Sequence, residues 1–359
     1  MTGRGVDQVF PCPANPALHE PYVQSALEYV AMAELSNGPI PKPVDFSYIW
    51  GDALEELSRM APVARIINLE TSITTSGDYE PKGINYRMRP ANTPCLTAAK
   101  IDCCVLANNH VLDWGRSGLA ETIRVLRKAG IKTVGAGRDL AEARAPAVID
   151  VGGNSRVLVF AAGTADSGIE RDWAATESTP GVVLLPDLSD GTVAHIAEQV
   201  TSAKRPGDIV VLSLHWGGNW GYEISRRQQA FARKLIDLAR IDVVHGHSSH
   251  HPKGIEVYKN KAILYGCGDF LNDYEGIAGY GEFRSCLVLA YFLTLNPDSG
   301  VILDLEMVPF EIKRFRLQQA SAQDAAWLRD VMAREGKPLG TQVNLGARNH
   351  TILTWRRSG

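Results

Sequence analysis

DIVVLSLHWGG (residues 208–218), SRRQQAFARKLIDLAR (225–240) and IDVVHGHSSHH (241–251) decide the fold between them. The outer two pieces open as short runs of β-branched and apolar residues, each running into a histidine. The middle piece carries its apolar residues at helical spacing. Strand, helix, strand is the repeating unit of an α/β domain. The same alternation extends upstream. ARIINLE ends on Glu70, and IDCCVLANNH ends on Asn108, Asn109 and His110. RSGLAETIRVLRKAG reads as an amphipathic helix closed by Gly130, followed by the strands IKTVGAG and SRVLVFAAG and a helix near residues 189–203. Strand after strand finishes on polar, ligand-capable side chains. In α/β sheets ligands bind beyond the carboxyl ends of the strands, so these endings are expected to converge in space.

Beyond residue 252 the pattern changes to closely spaced strands: GIEVYKN, KAILYGCGDF, CLVLAYFLTL and VILDLEMVPFEIKRFRL, with NPDSG as a turn. These predict antiparallel hairpins and, with the first half, a two-sheet core flanked by helices. SAQDAAWLRDVMAREG reads as a helix and TQVNLGARNHTILTW as a short tail packed outside. Residues 11–50, rich in proline with one helical stretch, are expected to be an insertion near the site mouth. The domain proper is taken as residues 1–315, with 316–359 packed on it.

The composition excludes several classes. The chain has 359 residues, 45% of them hydrophobic, which suits a substantial core, and a net charge of -3, which gives no basic field for nucleic acid. No run of about eighteen apolar residues is present to span a bilayer. The opening MTGRGVDQVFPCPANP lacks the charged-then-apolar order of a secretion signal. As written, the chain is expected to be cytoplasmic, with membrane association or export only through an N-terminal extension. The six cysteines show no CxxC spacing and are read as free thiols.

Of nine histidines, His110, His215, His245, His247, His250 and His251 fall in three strand-end segments. Imidazole is a common metal ligand, and several must meet at one point, so the clustering points to a cation. In VVHGHSSHH, Gly246 is expected to let the backbone turn, so that His247 and His250 point back to one site while His245 and His251 support them. His215 ends VLSLHWGG. In LANNHVLDWG, Asn109 offers an amide oxygen to a hard cation, and His110 can act as a general acid oriented by Asp113, with Asn108 in support. Glu70 ends a strand where a carboxylate is costly to bury unless paired or metal-bound. Arg87, Arg89 and Lys253 are candidates for binding an anionic small molecule or polymer. No Walker loop, GxSxG elbow or HExxH motif occurs.

NLETS, LANNHVLDWG, LHWGGNW, GHSSHHPKGIE and ILYGCGDF, in this order, resemble the CapA family of poly-γ-glutamate capsule biosynthesis, over roughly residues 1–315. The resemblance implies a metallophosphatase-like (calcineurin-like) four-layer αββα sandwich with two mixed sheets and a two-metal centre of manganese, iron or zinc. By that match Glu70 bridges the ions, Asn109, His215 and His247 hold one, His250 helps hold the other, and His110 beside Asp113 is the general acid or transition-state stabiliser. There are two departures. Asp269 stands in GDF where the family has GNF. The first strand and its Gly-Asp do not precede Met1, which is expected to reflect a late start assignment or a variant with one weakened metal site; Asp7 lies too far along the loop to replace that Asp. The function implied is a metal-dependent hydrolase of a phosphoester or of a γ-glutamyl or amide bond. Its rival is a non-catalytic assembly or polymer-binding protein that keeps the fold.

Overall fold

The computed structural model describes residues 1–356 except 154, 278 and 280. Its largest sheet has six strands. Arg156–Gly163, Ile209–His215, Val243–His247 and Lys261–Leu264 run parallel, and Ala147–Asp150 and Ile255–Tyr258 close the two edges antiparallel. The parallel strands are apolar almost throughout because both faces are covered. Leu158, Phe160, Val210, Leu212 and Val244 join one core with Val193 and Val200 of the helix Asp190–Ala203 and Phe231 and Leu235 of the helix Arg226–Ala239. The alternating residues Val157, Val159, Val211 and Val243 enter a second, larger core with Val308, Phe310 and Ile312. Each fully buried side chain of this size contributes about 1.5–3 kcal/mol.

A three-stranded parallel sheet, Ile66–Asn68, Cys103–Val105 and Lys132–Val134, carries the first two predicted strand endings. The helix Gly115–Lys128 buries Leu119, Ile123 and Leu126 and ends at Gly130, whose φ of +78° is the left-handed conformation that glycine adopts freely. Of the expected hairpins, Ile255–Tyr258 with Lys261–Leu264 belongs to the six-stranded sheet, and the later strands form a third sheet. Leu287–Leu295 pairs antiparallel with Ile302–Lys313, which also pairs with Arg316–Gln319 and Thr351–Trp355. The segment read as an outer tail differs from expectation. Thr341–Leu345 and Thr351–Trp355 are two antiparallel strands of this sheet, and their alternation of Val343 and Leu353 with exposed polar residues places the apolar side chains in the larger core. The architecture is thus mixed α/β with several sheets, compatible with an α/β sandwich.

Residues 1–10 are buried. The Met1 ammonium donates to the Leu271 carbonyl at 2.7 Å. Arg4, 3% exposed, places its guanidinium between the rings of Tyr29 and Tyr86 and grips Asp273 with two nitrogens at 2.6 and 2.8 Å and Glu20 with a third at 2.9 Å. The helix Ala26–Asn37 starts on a capping box in which Ser25 and Glu28 exchange hydrogen bonds with the backbone. Asp7 is fully buried and accepts from Ala14 N, Arg89 N and Asn92 Nδ2, fastening three segments. Among the described residues, no helix is long and apolar enough to cross a membrane.

Candidate functional site

Parallel pairing sets the site. The register aligns His215 with His247, so two adjacent strands deliver their terminal imidazoles side by side. Their Nδ1 atoms lie 2.7 Å apart. His215 Nε2 lies 3.0 Å from Asn109 Oδ1, which comes from the turn after the Cys103–Val105 strand in the other parallel sheet. On the far side, Ser213 Oγ stands 2.8 Å from His247 Nε2 and 2.9 Å from His245 Nδ1. With the amide oxygen of Asn109 accepting, the protons along this row follow: His215 Nε2 donates to Asn109, His247 Nδ1 to His215, the Ser213 hydroxyl to His247, and His245 Nδ1 to Ser213. Burial disfavours the charged imidazolium and pushes His215 and His245 down to about 4, and His247 well below its ordinary value. All three are therefore neutral near pH 7.

The other candidates surround this row. Glu70 is 6% exposed, and its Oε2 accepts from Asn68 Nδ2 at 2.9 Å. Its charge acts on His110, His215 and His250, which places all four in one electrostatic neighbourhood. Asn108 is a brace. Its Nδ2 donates to Asn68 Oδ1 and to the Leu69 carbonyl, each at 3.0 Å, and its Oδ1 accepts from His110 N. His110 Nδ1 sits 2.7 Å from Asp113 Oδ2, so the expected imidazole–carboxylate dyad is present. Burial lowers the His110 pKa, Asp113 opposes that shift, and Lys82 reinforces it. A second dyad faces it: His250 Nδ1 lies 3.0 Å from Asp269 Oδ1, and Asn272 Nδ2 donates to the other carboxylate oxygen. Here burial lowers the His250 pKa, but the charge and hydrogen bond of Asp269 more than offset it and leave it raised. Each dyad imidazole meets a tyrosine edge-on, Tyr86 for His110 and Tyr274 for His250, and the two hydroxyls are 3.3 Å apart.

Several expectations need correction. Gly246 makes no turn. The strand continues through His247, and a Cβ at Gly246 would come within 2.4–2.5 Å of the Tyr265 and Leu264 carbonyls, so the glycine serves close strand packing. The chain turns at Ser248, whose φ is +107°. Arg87 donates to the Ser76 and Asn15 carbonyls and lies over Trp114, while Arg89 donates to the Pro13 carbonyl. Lys253 is buried with Nζ on the Glu223 carbonyl at 3.0 Å, where burial lowers its pKa. Each of these three cations donates to loop carbonyls, which need a partner somewhere. His251 packs among Trp220, Tyr222 and Phe283. The cation that does reach the site is Lys82, 2.8 Å from Asp113 Oδ1 and hydrogen-bonded to the Asn109 carbonyl. Sequence reading missed Lys82 and Ser213, since neither ends a strand; the one available signal for Lys82 was its place in the basic stretch PKGINYRMRP.

The donor types fit a divalent cation: neutral imidazoles, an amide oxygen and a carboxylate. The geometry is closed upon itself. Among the described residues, no group of three or more His, Cys, Asp or Glu side chains is arranged to hold a metal ion, and the lone pair of His215 Nδ1 is spent on His247.

The model of the bacterial capsule synthesis protein family PGA_cap matches residues 1–274. The chain belongs to this family. A probable polyglutamine synthesis accessory protein of Mycobacterium tuberculosis is 49% identical over 345 residues, 96% of this chain and 90% of that protein. The PGA biosynthesis protein CapA of Bacillus subtilis is 31% identical over 70% of this chain and 64% of its own length. The capsule biosynthesis protein CapA of Bacillus anthracis is 28% identical over 65% of this chain and 53% of its own length. The matched region of the family model contains every site residue named above, from Glu70 to Asp269. The names of the family and of these two CapA relatives tie them to capsule and PGA biosynthesis.

Proposed function

We propose that this PGA_cap member is a metal-assisted hydrolase built on a four-layer αββα sandwich of the metallophosphatase type, acting on a phosphoester or a γ-glutamyl or amide bond in the synthesis of poly-γ-glutamate or a related polymer. The observation that carries the reading is the meeting of Asn109, from one sheet, with His215 and His247, from adjacent strands of another, with Glu70, His110 and His250 in the same neighbourhood. Asn109, His215 and His247 would hold one cation, Glu70 and His250 would help hold a second, and manganese, iron and zinc all suit that donor set. When bound, such ions supply a water activated at neutral pH and neutralise charge on the scissile group. The chain's own residues do the rest. His215 and His247, held neutral by burial, need lose no proton to coordinate. For a cation to enter, His215 and His247 must exchange their mutual hydrogen bond for contacts to the ion. His110, with Nδ1 held by Asp113, presents Nε2 for proton transfer to or from the reacting oxygen or nitrogen.

The test uses the purified chain with manganese, iron or zinc, a phosphodiester such as bis(p-nitrophenyl) phosphate, and γ-glutamyl oligomers. Metal-dependent turnover that falls about a hundredfold or more in His110→Ala supports the reading, a loss typical of a missing acid–base group. Turnover that survives His215→Ala and His110→Ala unchanged sinks it. A second reading has its own support. The closed geometry of the imidazole row suits a non-catalytic accessory protein that binds polymer, and the mycobacterial relative carries the word accessory in its name. Binding of γ-glutamyl oligomers without hydrolysis under any metal selects it.

A further inference from the structure

We propose that Lys82 is a positioning residue of this site, holding the Asn109–Asp113 turn so that Asn109 faces His215 and His110 faces its carboxylate. The inference rests on the hydrolase reading and adds to it a residue that no motif carried.

The loop that bears Lys82 is built around Asp113. Glu80 N donates to the Asp113 carbonyl at 2.9 Å, Asn85 Nδ2 donates to the same carbonyl at 3.3 Å, and Tyr86 N donates to Asp113 Oδ2 at 2.6 Å. Gly83, with φ +92°, takes the left-handed conformation that this reversal requires. The backbone therefore fixes where the Lys82 stem starts. Its ammonium then enters the turn from the opposite side, 2.8 Å from Asp113 Oδ1, hydrogen-bonded to the Asn109 carbonyl and 3.3 Å from His110 Nδ1. The Trp173 ring lies 5.0 Å from the same nitrogen. The side chain is 16% exposed, so the ion pair is shielded from water and is worth more than a surface pair.

Chemistry assigns the roles. An ammonium has three donors and no acceptor. One donor has its acceptor in the Asn109 carbonyl, and the ammonium charge pairs with Asp113 Oδ1 at 2.8 Å, an ion pair outside hydrogen-bond geometry. The remaining contact, to His110 Nδ1, cannot be a second acceptor bond, because that nitrogen at 2.7 Å from Asp113 Oδ2 already donates its proton there. Lys82 thus grips one oxygen of the carboxylate while His110 uses the other, which fixes the plane of Asp113 and with it the imidazole. Its hold on the Asn109 carbonyl fixes the peptide whose side chain reaches His215. Ordering a lysine costs side-chain entropy, which such a charge-assisted pair offsets. Because the ammonium acts through Asp113 and Asn109, it is not a substrate contact.

The test compares the full-length wild type with Lys82→Met, Lys82→Gln and Lys82→Arg in three readouts: steady-state hydrolysis of bis(p-nitrophenyl) phosphate, manganese affinity by calorimetry, and amide hydrogen exchange over residues 106–114. Lys82→Met should lower kcat and manganese affinity about 10- to 100-fold, the usual effect of losing a ligand's supporting partner, with KM within about twofold. Exchange in 106–114 should accelerate while the rest of the chain is unchanged, and Lys82→Arg should recover part of each loss. Lys82→Gln reports the same quantities if the methionine variant fails to fold. A raised KM with unchanged kcat overturns the proposal, since Lys82 would then bind substrate directly. Unaltered exchange in Lys82→Met, or an arginine variant no better than methionine, also overturns it. If the wild type hydrolyses nothing and binds no manganese, the hydrolase reading fails by itself. Exchange over 106–114 with rescue by arginine then still supports the positioning role, and its absence refutes it.

Discussion

Replacing Arg4 by methionine removes the cation from a buried cluster and leaves its carboxylates in place. Asp273 and Glu20 are each 1% exposed, and Arg4 supplies both with charge-assisted hydrogen bonds at 2.6–2.9 Å. Methionine keeps most of the stem volume between Tyr29 and Tyr86, so the loss falls on the electrostatics. Breaking a buried ion pair from one side costs about 3–5 kcal/mol, because the remaining charge is desolvated without a partner. For a chain of 359 residues, an unfolding entropy of about 2.1 cal/mol/K per residue converts that into a fall in Tm of about 4–7 °C. Differential scanning calorimetry at pH 7 measures it. Adding Glu20→Gln and Asp273→Asn to Arg4→Met should recover part of the loss, since neutral amides cost less to bury than orphaned carboxylates. A single variant melting within about a degree of the wild type would mean that Asp273 and Glu20 rehydrate freely, and the cluster would not be the anchor of the N-terminal segment.

Three further outcomes follow from the same structure. Gly246→Ala forces a Cβ into the Leu264 and Tyr265 carbonyls and should destabilise by about 1–3 kcal/mol in urea unfolding, the range for overpacking; a neutral result would show that the strands can separate there. Asp208 accepts from Arg156 at 2.5 and 2.9 Å and from Arg205 N at 2.6 Å, and the Arg156 hydrogen bond leads the effects that hold its carboxyl below the ordinary range. Its contribution is therefore complete above the unfolded carboxylate pKa, about 4, and is lost as pH falls through the lower folded value. Asp208→Asn should be less stable at neutral pH and should lose less on acidification, as read by thermal melts from pH 7 to pH 3. Ser213→Ala strips His247 Nε2 and His245 Nδ1 of their shared partner and should cost about 1–3 kcal/mol. Ring-nitrogen NMR should report altered tautomer populations at both histidines, whereas unchanged spectra would contradict the hydrogen-bonded row.

The strand endings were legible because a fully buried parallel strand leaves a continuous apolar run, and the first polar residue after it marks the end. The apolar runs leading to Glu70, Asn109, His215 and His247 were legible in this way, and the closely spaced strands after residue 252 by their turns. Pairing register was not legible. Nothing in IDVVHGH states that His247 rather than His245 aligns with His215, since that depends on how two strands slide before packing. The role of Gly246 was misread for the same reason: glycine signals either a turn or a close approach, and only the neighbouring Tyr265 strand end distinguishes them. Arg87, Arg89 and Lys253 look like anion binders by charge, and the structure shows each donating to loop carbonyls. Lys82, with the same charge and no distinguishing pattern, enters the site because its loop wraps Asp113, a tertiary fact without sequence periodicity. Thr351–Trp355 reads as a tail by its place after the helix, whereas pairing of Thr351 and Ile352 with the Ile302–Lys313 strand decides its state.

The central claim is that Asn109, His215 and His247, with Glu70 and His250 beside them, form a seat for cations. The most direct measurement is anomalous diffraction at the manganese edge from crystals of the chain grown with manganese. A peak bonded to Asn109 Oδ1 and to one nitrogen each of His215 and His247 is expected, with the hydrogen bond between those two rings broken. A map with no peak there at saturating manganese, and the two Nδ1 atoms still in contact, would contradict it.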